Sequence, residues 1–293
     1  MKIKIIIDSS AGLSKKEAND FGWDMLPMQS EIDKKIYQNG VDMNVDEFEK
    51  IWDNNKKVET LTYATPPGIS ENTVNKYLND YDKIIIYGIS TELSSQVPNI
   101  TQLFKDNKKV HVVQSKKISY LIVRDLLLFE ESIKNGESLE NAMKIFDQPH
   151  ERLLLIPKYN DALVKGGRLS KTAAAIAKLL KIVPIIKLEN GILEKDSIGR
   201  VFLKSIEKQI KDMADKINKN DPEMHLIFIH ANSSDLDYLV KISKEIVGNK
   251  VKLMSIKTSL DIAIHAGIGA VCITIAKIKS SIQDKFYQIG KLH

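Results

Sequence analysis

The chain has 293 residues, 43% hydrophobic and 28% charged, with a net charge of +5, enough for one large or two ordinary globular domains. No apolar run approaches the roughly 20 residues of a membrane span, and the lysines are scattered rather than grouped with aromatics, which excludes stable membrane insertion and a nucleic-acid groove. The single cysteine, Cys272 in an apolar run, excludes an intramolecular disulfide and a cysteine-rich metal site.

Lys4–Ile7 reads as a buried strand, and the stretch from Met1 is too short to read as a signal peptide, so a cytoplasmic location is expected. The strand runs into Asp8-Ser9-Ser10, and Ser14 with Glu17 three residues on forms a capping box for a helix. A second helix is predicted over Asp46–Asp53. A third opens at Thr65-Pro66-Pro67 and reaches about Leu78, proline being tolerated in a first turn. Lys83–Ile89 and Val110–Gln114 are strands, followed by Ser90-Thr91 and by Ser115. Ser119–Lys134 and Ser138–Phe146 read as helices. Such alternation implies a parallel sheet covered on both faces, with ligands at the carboxyl ends of its strands. The hydroxyl clusters there are either ligand contacts or plain helix N-caps. No Gly-x-Gly-x-x-Gly follows the first strand, so no dinucleotide cofactor is expected.

The second half has a different pattern. Leu153–Pro157 is a strand and Ser170–Lys181 a helix. Val183–Leu188 and Ile192–Lys195 flank Asn190-Gly191, a strong hairpin signal. Phe202–Ile217 is a long helix, and Leu226–His230, Val251–Ile256 and Ala270–Ile275 are strands. The fold class is therefore α/β in two domains: a parallel α/β/α domain over residues 1–150 and a mixed-sheet α/β domain over residues 151–293.

Four polar clusters lie far apart in the chain: Thr62–Pro67, Ser90–Ser95, Gly166-Gly167-Arg168 and His265–Gly269. The third is the most informative. Only 4 of the 43 basic residues are arginines, so Arg168 implies a need for the forked guanidinium that recognises carboxylates and phosphates. The plainer reading is a helix stop at Gly166-Gly167 and a helix start at Ser170. His265 sits among small residues that let a ligand or backbone come close. The remaining histidines show no metal-ligand spacing, and there is no nucleophile elbow or Walker loop.

Taken together these motifs resemble the DegV family of bacterial fatty-acid-binding proteins. Ile7-Asp8-Ser9-Ser10-Ala11-Gly12-Leu13 resembles the family's opening motif, and Thr62–Pro67 occupies the place of its Thr-Ser-Gln-Pro-Ser-Pro. Ile89–Ser95, Lys165–Lys171 and His265–Gly269 resemble three more. The resemblance implies a two-domain α/β protein that encloses one long-chain fatty acid in a tunnel and is not itself an enzyme. It implies that Thr62 and Ser94, with Ser95 beside it, hold the carboxylate and that His265 lies close by. It further implies that Arg168, and more loosely Arg200, serve a partner, an ATP-dependent fatty acid kinase that makes an acyl phosphate for phospholipid synthesis. No cofactor or metal is implied; the ligand is the fatty acid. Departures fall at Tyr63-Ala64, at Ser95-Gln96-Val97 and at Ile264 and Ala266, where the family has other residues.

The physical chemistry is compatible. A tail of about 15 methylenes, at roughly 0.8 kcal/mol each, carries about 12 kcal/mol of gross transfer free energy, so the tail sets affinity and the head orientation. Ala173–Leu180, Ile182–Leu188 and Ile118–Leu128 are candidate tunnel lining, though the same residues would serve as core. Two readings stay open beside this one. One is a hydrolase or phosphotransferase using Asp8, Ser9, Ser94, Arg168 and His265 at the strand ends. The other is a non-lipid binding module on the same fold.

Overall fold

Ile5, Ile6 and Ile7 are β-branched and pack well on a pleated surface; they form the centre of strand β1 (Ile3–Asp8). The computed structural model describes residues 1–179 and 181–293. Spatial proximity divides the chain into two units, one of Met1–Ile122 with Ser259–Ile262 and one of Val123–Thr258 with Ala263–His293.

In the first unit β1 is followed by α1 (Lys15–Asp20), β2 (Asp24–Leu26), β3 (Gln29–Ile32), β4 (Lys35–Gln38), α2 (Val45–Asn54), β5 (Thr60–Tyr63), α3 (Pro67–Asn75), β6 (Lys83–Tyr87), α4 (Gln96–Leu103) and β7 (Val110–Val112). The main sheet has the order β2-β1-β6-β7 with every neighbour parallel, as the strand–helix alternation predicts. Ile6, Ile84 and Ile86 on one face pack with Val74 of α3 and Ile100 of α4. The capping box is present: Ser14 accepts from Glu17 N, and Glu17 accepts from Ser14 N.

The alternation gives no hint of a second sheet, β4-β3-β5, which is antiparallel. Its strands are only four residues long. The β3–β4 turn places Asp33 (φ 49°) and Lys34 (φ 65°) in the left-handed region without a glycine. The residue signature of a two-residue hairpin is therefore absent although its backbone is there.

The second unit begins within α5 (Tyr120–Lys134) and continues through α6 (Leu139–Met143), β8 (Leu154–Ile156), α7 (Asp161–Gly166), α8 (Lys171–Ala177), β9 (Val183–Glu189), β10 (Ile192–Gly199), α9 (Phe202–Ala214), β11 (Met224–His230), α10 (Leu236–Val247), β12 (Lys252–Lys257), α11 (Leu260–Ala266), β13 (Val271–Lys277), α12 (Gln283–Phe286) and β14 (Lys291–Leu292). The first residues of α11 belong to the first unit. The sheet order is β10-β9-β8-β13-β11-β12-β14, with β11 and β12 parallel and the other pairs antiparallel, a mixed sheet as predicted. Asn190 (φ 50°) and Gly191 (φ 86°) make the anticipated β9–β10 turn. Ile206 and Ile210 of α9 and Leu239 of α10 cover one sheet face, against Leu226, Phe228, Val271 and Ile273.

The units divide after Ile122, whereas the sequence pattern draws the domain line at residue 150. The difference lies in α5 and α6. Phe129 packs on Phe146 with ring centroids 5.2 Å apart, Arg124 binds Glu151 at 2.7 and 2.5 Å, and Glu130 pairs with Lys285 at 3.2 Å. The ring contact joins α5 to the turn that follows α6, and the two ion pairs tie α5 to residues beyond 150. The helix predicted over Ser170–Lys181 is shorter in the structure, Lys171–Ala177. Leu180, part of the predicted lining, lies outside the described residues.

Candidate functional site

The six predicted site residues fall into two groups, each within its own unit. Thr62, Ser94 and Ser95 belong to the first, and Arg168, Arg200 and His265 to the second.

The first group is organised around a buried carboxylate. β1 ends at Asp8, whose Oδ1 accepts from Ser10 N (3.0 Å) and Ser10 Oγ (2.5 Å), while its Oδ2 accepts from Ile89 N (2.8 Å). One side chain thus ties the end of β1 to the chain leaving β6. A methyl group at Gly88 would overlap this carboxylate, so only glycine allows the approach. Burial pushes the Asp8 carboxyl up to about 6 even against its hydrogen bonds with Ser10 and Ile89.

The turn after β6 then sets Ser94. Ser94 N donates to Ser90 O at 3.3 Å, and Ser94 Oγ accepts from Gln96 N at 3.2 Å. A hydroxyl that accepts through its oxygen keeps its own hydrogen to donate. Ser95 stands at the N-cap position of α4, exposed and without a side-chain capping bond. Thr62, half-buried on β5, lies opposite Ser30 of β3.

A residue to which the sequence pattern assigns no role connects these segments. Gln96 is fully buried. Its Oε1 accepts from Thr65 N (2.7 Å), its Nε2 donates to Thr65 Oγ1 (2.8 Å), and Thr65 Oγ1 donates to Pro27 O (3.0 Å). The amide side chain therefore clamps the chain leaving β5, three residues past Thr62, to the start of α4, two residues past Ser94. In sequence Gln96 stands out only as a departure from the family pattern. A glutamine in a first helical turn normally faces water, and nothing local marks this one as buried.

The second group explains the Gly-Gly-Arg motif residue by residue. Gly167 (φ 65°) ends α7 in the left-handed conformation, and Ser170 caps α8 by accepting from Ala173 N at 3.3 Å. The helix stop and start are thus both real. Gly166 has a further reason: a Cβ there would lie 2.7 Å from Nδ1 of His265, so the imidazole rests against the glycine. Arg168 folds back, Nη1 donating to Gly166 O at 2.8 Å, and is exposed. Burial, and then the charge of Arg168, push the His265 imidazole down to about 4, so the ring is neutral at neutral pH. Arg168 and His265 meet at one glycine. Arg200 does not join them. Leu169 pairs with Leu193 at the start of β10, and Arg200 follows the end of that strand, roughly 20 Å further along.

Among the described residues no helix is long and apolar enough to cross a membrane, and no group of three or more His, Cys, Asp or Glu side chains could hold a metal ion. Burial holds the thiol of Cys272, on β13, up at about 12.

Residues 2–277 match the family model described as "Uncharacterised protein, DegV family". A DegV domain-containing protein of Mycoplasmopsis pulmonis is 37% identical over 290 residues, covering 98% of this chain and 99% of that relative. Two solved structures share the fold: a DegV fatty acid binding protein from Bacillus subtilis (TM-score 0.81, 22% identity, 94% of this chain and 99% of that one) and a stearic acid-binding protein from Eubacterium ventriosum (TM-score 0.79, 20% identity, 94% and 98%). The chain belongs to the DegV family.

Proposed function

We propose that this chain binds one long-chain fatty acid, with its tail in an apolar tunnel and its carboxylate held by the hydroxyls of Thr62 and Ser94, and presents it to an ATP-dependent fatty acid kinase for acyl-phosphate formation. The observation that carries the proposal is the Gln96–Thr65 clamp. It draws toward each other two segments, each bearing a hydroxyl, in a unit whose nearby carboxylate is already occupied. Hydroxyl donors orient an anionic head without a full ion pair, which leaves a carboxylate oxygen nucleophilic toward a phosphoryl group. The fatty acids named for the solved relatives of the same fold, stearic acid among them, agree in ligand class. Ser95, next to Ser94 and exposed, contributes its backbone N–H rather than its hydroxyl.

The second unit supplies the charge. Arg168 is exposed and held by its own loop, a suitable post for an incoming phosphate or an acidic partner surface. His265, neutral and packed on Gly166, sets the shape of that loop. Arg200, at the far end of β10, belongs to the docking surface for the kinase. The hydrolase alternative has weaker support. Asp8 already accepts three hydrogen bonds, and Ser9 Oγ accepts from Met28 N at 3.2 Å, so neither is arranged as a base or nucleophile.

Organic extraction of the purified protein followed by mass spectrometry tests the reading directly. A long-chain fatty acid in roughly equimolar amount is expected. Recovery of none, together with no binding of added palmitate or oleate, would remove the proposal.

A further inference from the structure

Ile278, Ile282 and Phe286 recur at every fourth residue and are all buried, the spacing of one helical face. Gln283 and Tyr287, each one position on, share the adjoining face, with the phenol oxygen 2.8 Å from Gln283 Oε1. The chain then passes Gly290 and adds β14 to the edge of β12. Leu292 pairs with Met254, Lys291 pairs with Ser255, and His293 N donates to Leu253 O at 3.0 Å. A Cβ at Gly290 would lie 2.4 Å from Ser255 O, so the strap runs directly against the β12 backbone. Covered in this way, the middle of β12 presents no unpaired strand edge.

Two side chains of the sheet hold the strap at Tyr287. His225 of β11 and Lys252 of β12 are register partners. His225 Nδ1 lies 2.7 Å from Glu223 O. A carbonyl oxygen only accepts, so the ring hydrogen is on Nδ1 and Nε2 is left as an acceptor. The Tyr287 hydroxyl donates to that nitrogen at 2.8 Å. Lys252 Nζ donates to the same phenol oxygen at 3.0 Å and to Gln283 Oε1 at 2.7 Å. A second proton on the ring reverses the bond to Tyr287. Nε2–H would then point at the oxygen on which the Lys252 ammonium already sits, and two cations would share one atom. Burial first, and then the charge of Lys252, hold the imidazole below its ordinary value. Glu223 favours the proton, but its carboxylate already accepts from Ser280 N at 2.6 Å and pairs with Lys277 at 3.4 Å.

We propose that His225, Tyr287 and Lys252 form a pH-sensitive latch, which holds the strap Ile278–His293 on β12 while the imidazole is neutral and releases it when the ring takes up a proton. Release gives the edge of β12 and the buried Phe286 to solvent. An imidazole freed from the latch takes its proton at about 6.5, and the latched one only below that. The latch is therefore at full strength above this pH and weakens as pH falls through it. His293, the other histidine of the strap, is not part of the device. Its Nε2 lies 2.8 Å from Ser255 Oγ, and a hydroxyl donates to a neutral ring or accepts from a charged one. The charges about it are mixed, Lys291 and Lys244 opposing its proton and Asp237 favouring it.

Hydrogen exchange at the Tyr287 amide, which donates to Gln283 O, reads the latch in the full chain. Corrected for intrinsic rates, wild-type protection should fall three- to tenfold from pH 7.5 to 5.5, tenfold being about the limit one unit below the ordinary imidazole value. His225→Gln keeps an acceptor for Tyr287 and cannot titrate, so protection should change by less than twofold. His293→Gln should keep a fall of at least threefold. Tyr287→Phe removes the oxygen that the two cations would share; it should lower protection at pH 7.5 and leave less than a twofold fall. Thermal melts at pH 7.5 verify folding, and should His225→Gln fail to fold, Tyr287→Phe decides. A wild-type fall under threefold would overturn the latch. So would a fall above twofold in His225→Gln or Tyr287→Phe, or its loss in His293→Gln.

Discussion

The two units shift buried ionisable groups in opposite chemical directions for one physical reason, the cost of burying a charge. In the first, burial pushes the carboxyls of Asp8 and Asp261 up to about 6 and about 7; in the second, it pushes the imidazole of His265 down to about 4. Acids drift toward the protonated form and the base toward the free form: at neutral pH the His265 ring is uncharged, Asp261 is about half protonated and Asp8 is still mostly ionised. What remains differs. The first unit is left with hydroxyls and amides that have been withdrawn from water. The second is left with an exposed guanidinium on a loop fixed by two glycines. The first arrangement suits orienting an acid head; the second suits meeting phosphate or a partner at the surface.

The largest expected effect is on the pH dependence of stability, because the two units should move in opposite directions. Between about pH 4 and 7 the folded first unit binds more protons at Asp8 and Asp261 than the unfolded chain does. Its stability is therefore greatest at the acidic end and falls, on the order of a few kcal/mol, as pH rises through the folded values. His265 has the reverse linkage. The unfolded chain binds its proton first, so the second unit loses stability as pH falls from 6.5 toward 4. Hydrogen exchange at about pH 4.5 and 7, corrected for intrinsic rates, should show β1 and β6 amides better protected at the lower pH and β11 and β13 amides better protected at the higher. Asp261→Asn should flatten the first trend and leave the second. Parallel trends in both units would remove the comparison.

Next in size is a split between binding and phosphoryl transfer. Thr62→Val combined with Ser94→Ala removes two donors to a carboxylate and should weaken palmitate by roughly 3 kcal/mol, about a hundredfold. Arg168→Ala should leave palmitate affinity within twofold and lower kinase-dependent acyl phosphate formation at least tenfold. Calorimetry and a coupled phosphorylation assay read the two quantities separately. If the Arg168 variant is phosphorylated at the wild-type rate, the surface role given to the second unit is wrong.

A third substitution probes the Gly166–His265 contact. Gly166→Ala puts a methyl 2.7 Å from the ring nitrogen. The backbone of α7 gives little, so the ring must shift, at a cost of about 1–3 kcal/mol. Gly167→Ala instead forces a left-handed conformation on a Cβ, for about 1 kcal/mol. Denaturant unfolding that ranks the two in the reverse order would show that the histidine does not rest on Gly166.

These contacts also show what sequence can and cannot convey. The parallel sheet, the mixed sheet and the Asn190-Gly191 hairpin follow from local rules, since periodicity and turn chemistry act within a few residues. The capping box of Ser14 and the cap at Ser170 are legible for the same reason. The β3–β4 hairpin is not, because Asp33 and Lys34 adopt left-handed conformations that their side chains do not advertise. The extents of α5 and α6 are legible, but not the unit to which they attach, which depends on Phe146, Glu151 and Lys285. Within the candidate site the motif residues stand out by composition. Gln96 does not, since it acquires its role from Thr65, a residue distant in the chain. A buried glutamine and a solvated one are spelled alike.

The smallest effect separates the two legible caps. Ser14 and Ser170 each accept from a backbone N–H three residues on, at 3.2 and 3.3 Å, and replacing either by alanine should cost about 1 kcal/mol. Ser14 belongs to a reciprocal box in which Glu17 Oε2 still bonds the Ser14 backbone N–H after the hydroxyl is gone. Ser170 has no such support from its own helix. Its hydroxyl donates to Glu194 Oε2 at 2.8 Å, and its N–H donates to Leu193 O at 3.0 Å, so the cap also pins the loop bearing Arg168 to β10. Ser170→Ala leaves Glu194 half-buried without that donor and loosens the loop, whereas Ser14→Ala loosens only the first turn of α1. The Ser170 variant should thus be the less stable by a few tenths of a kcal/mol and should raise hydrogen exchange at Leu169 and in the first turn of α8. Equal stability and unchanged exchange there would mean that the Arg168 loop is held by its glycines alone.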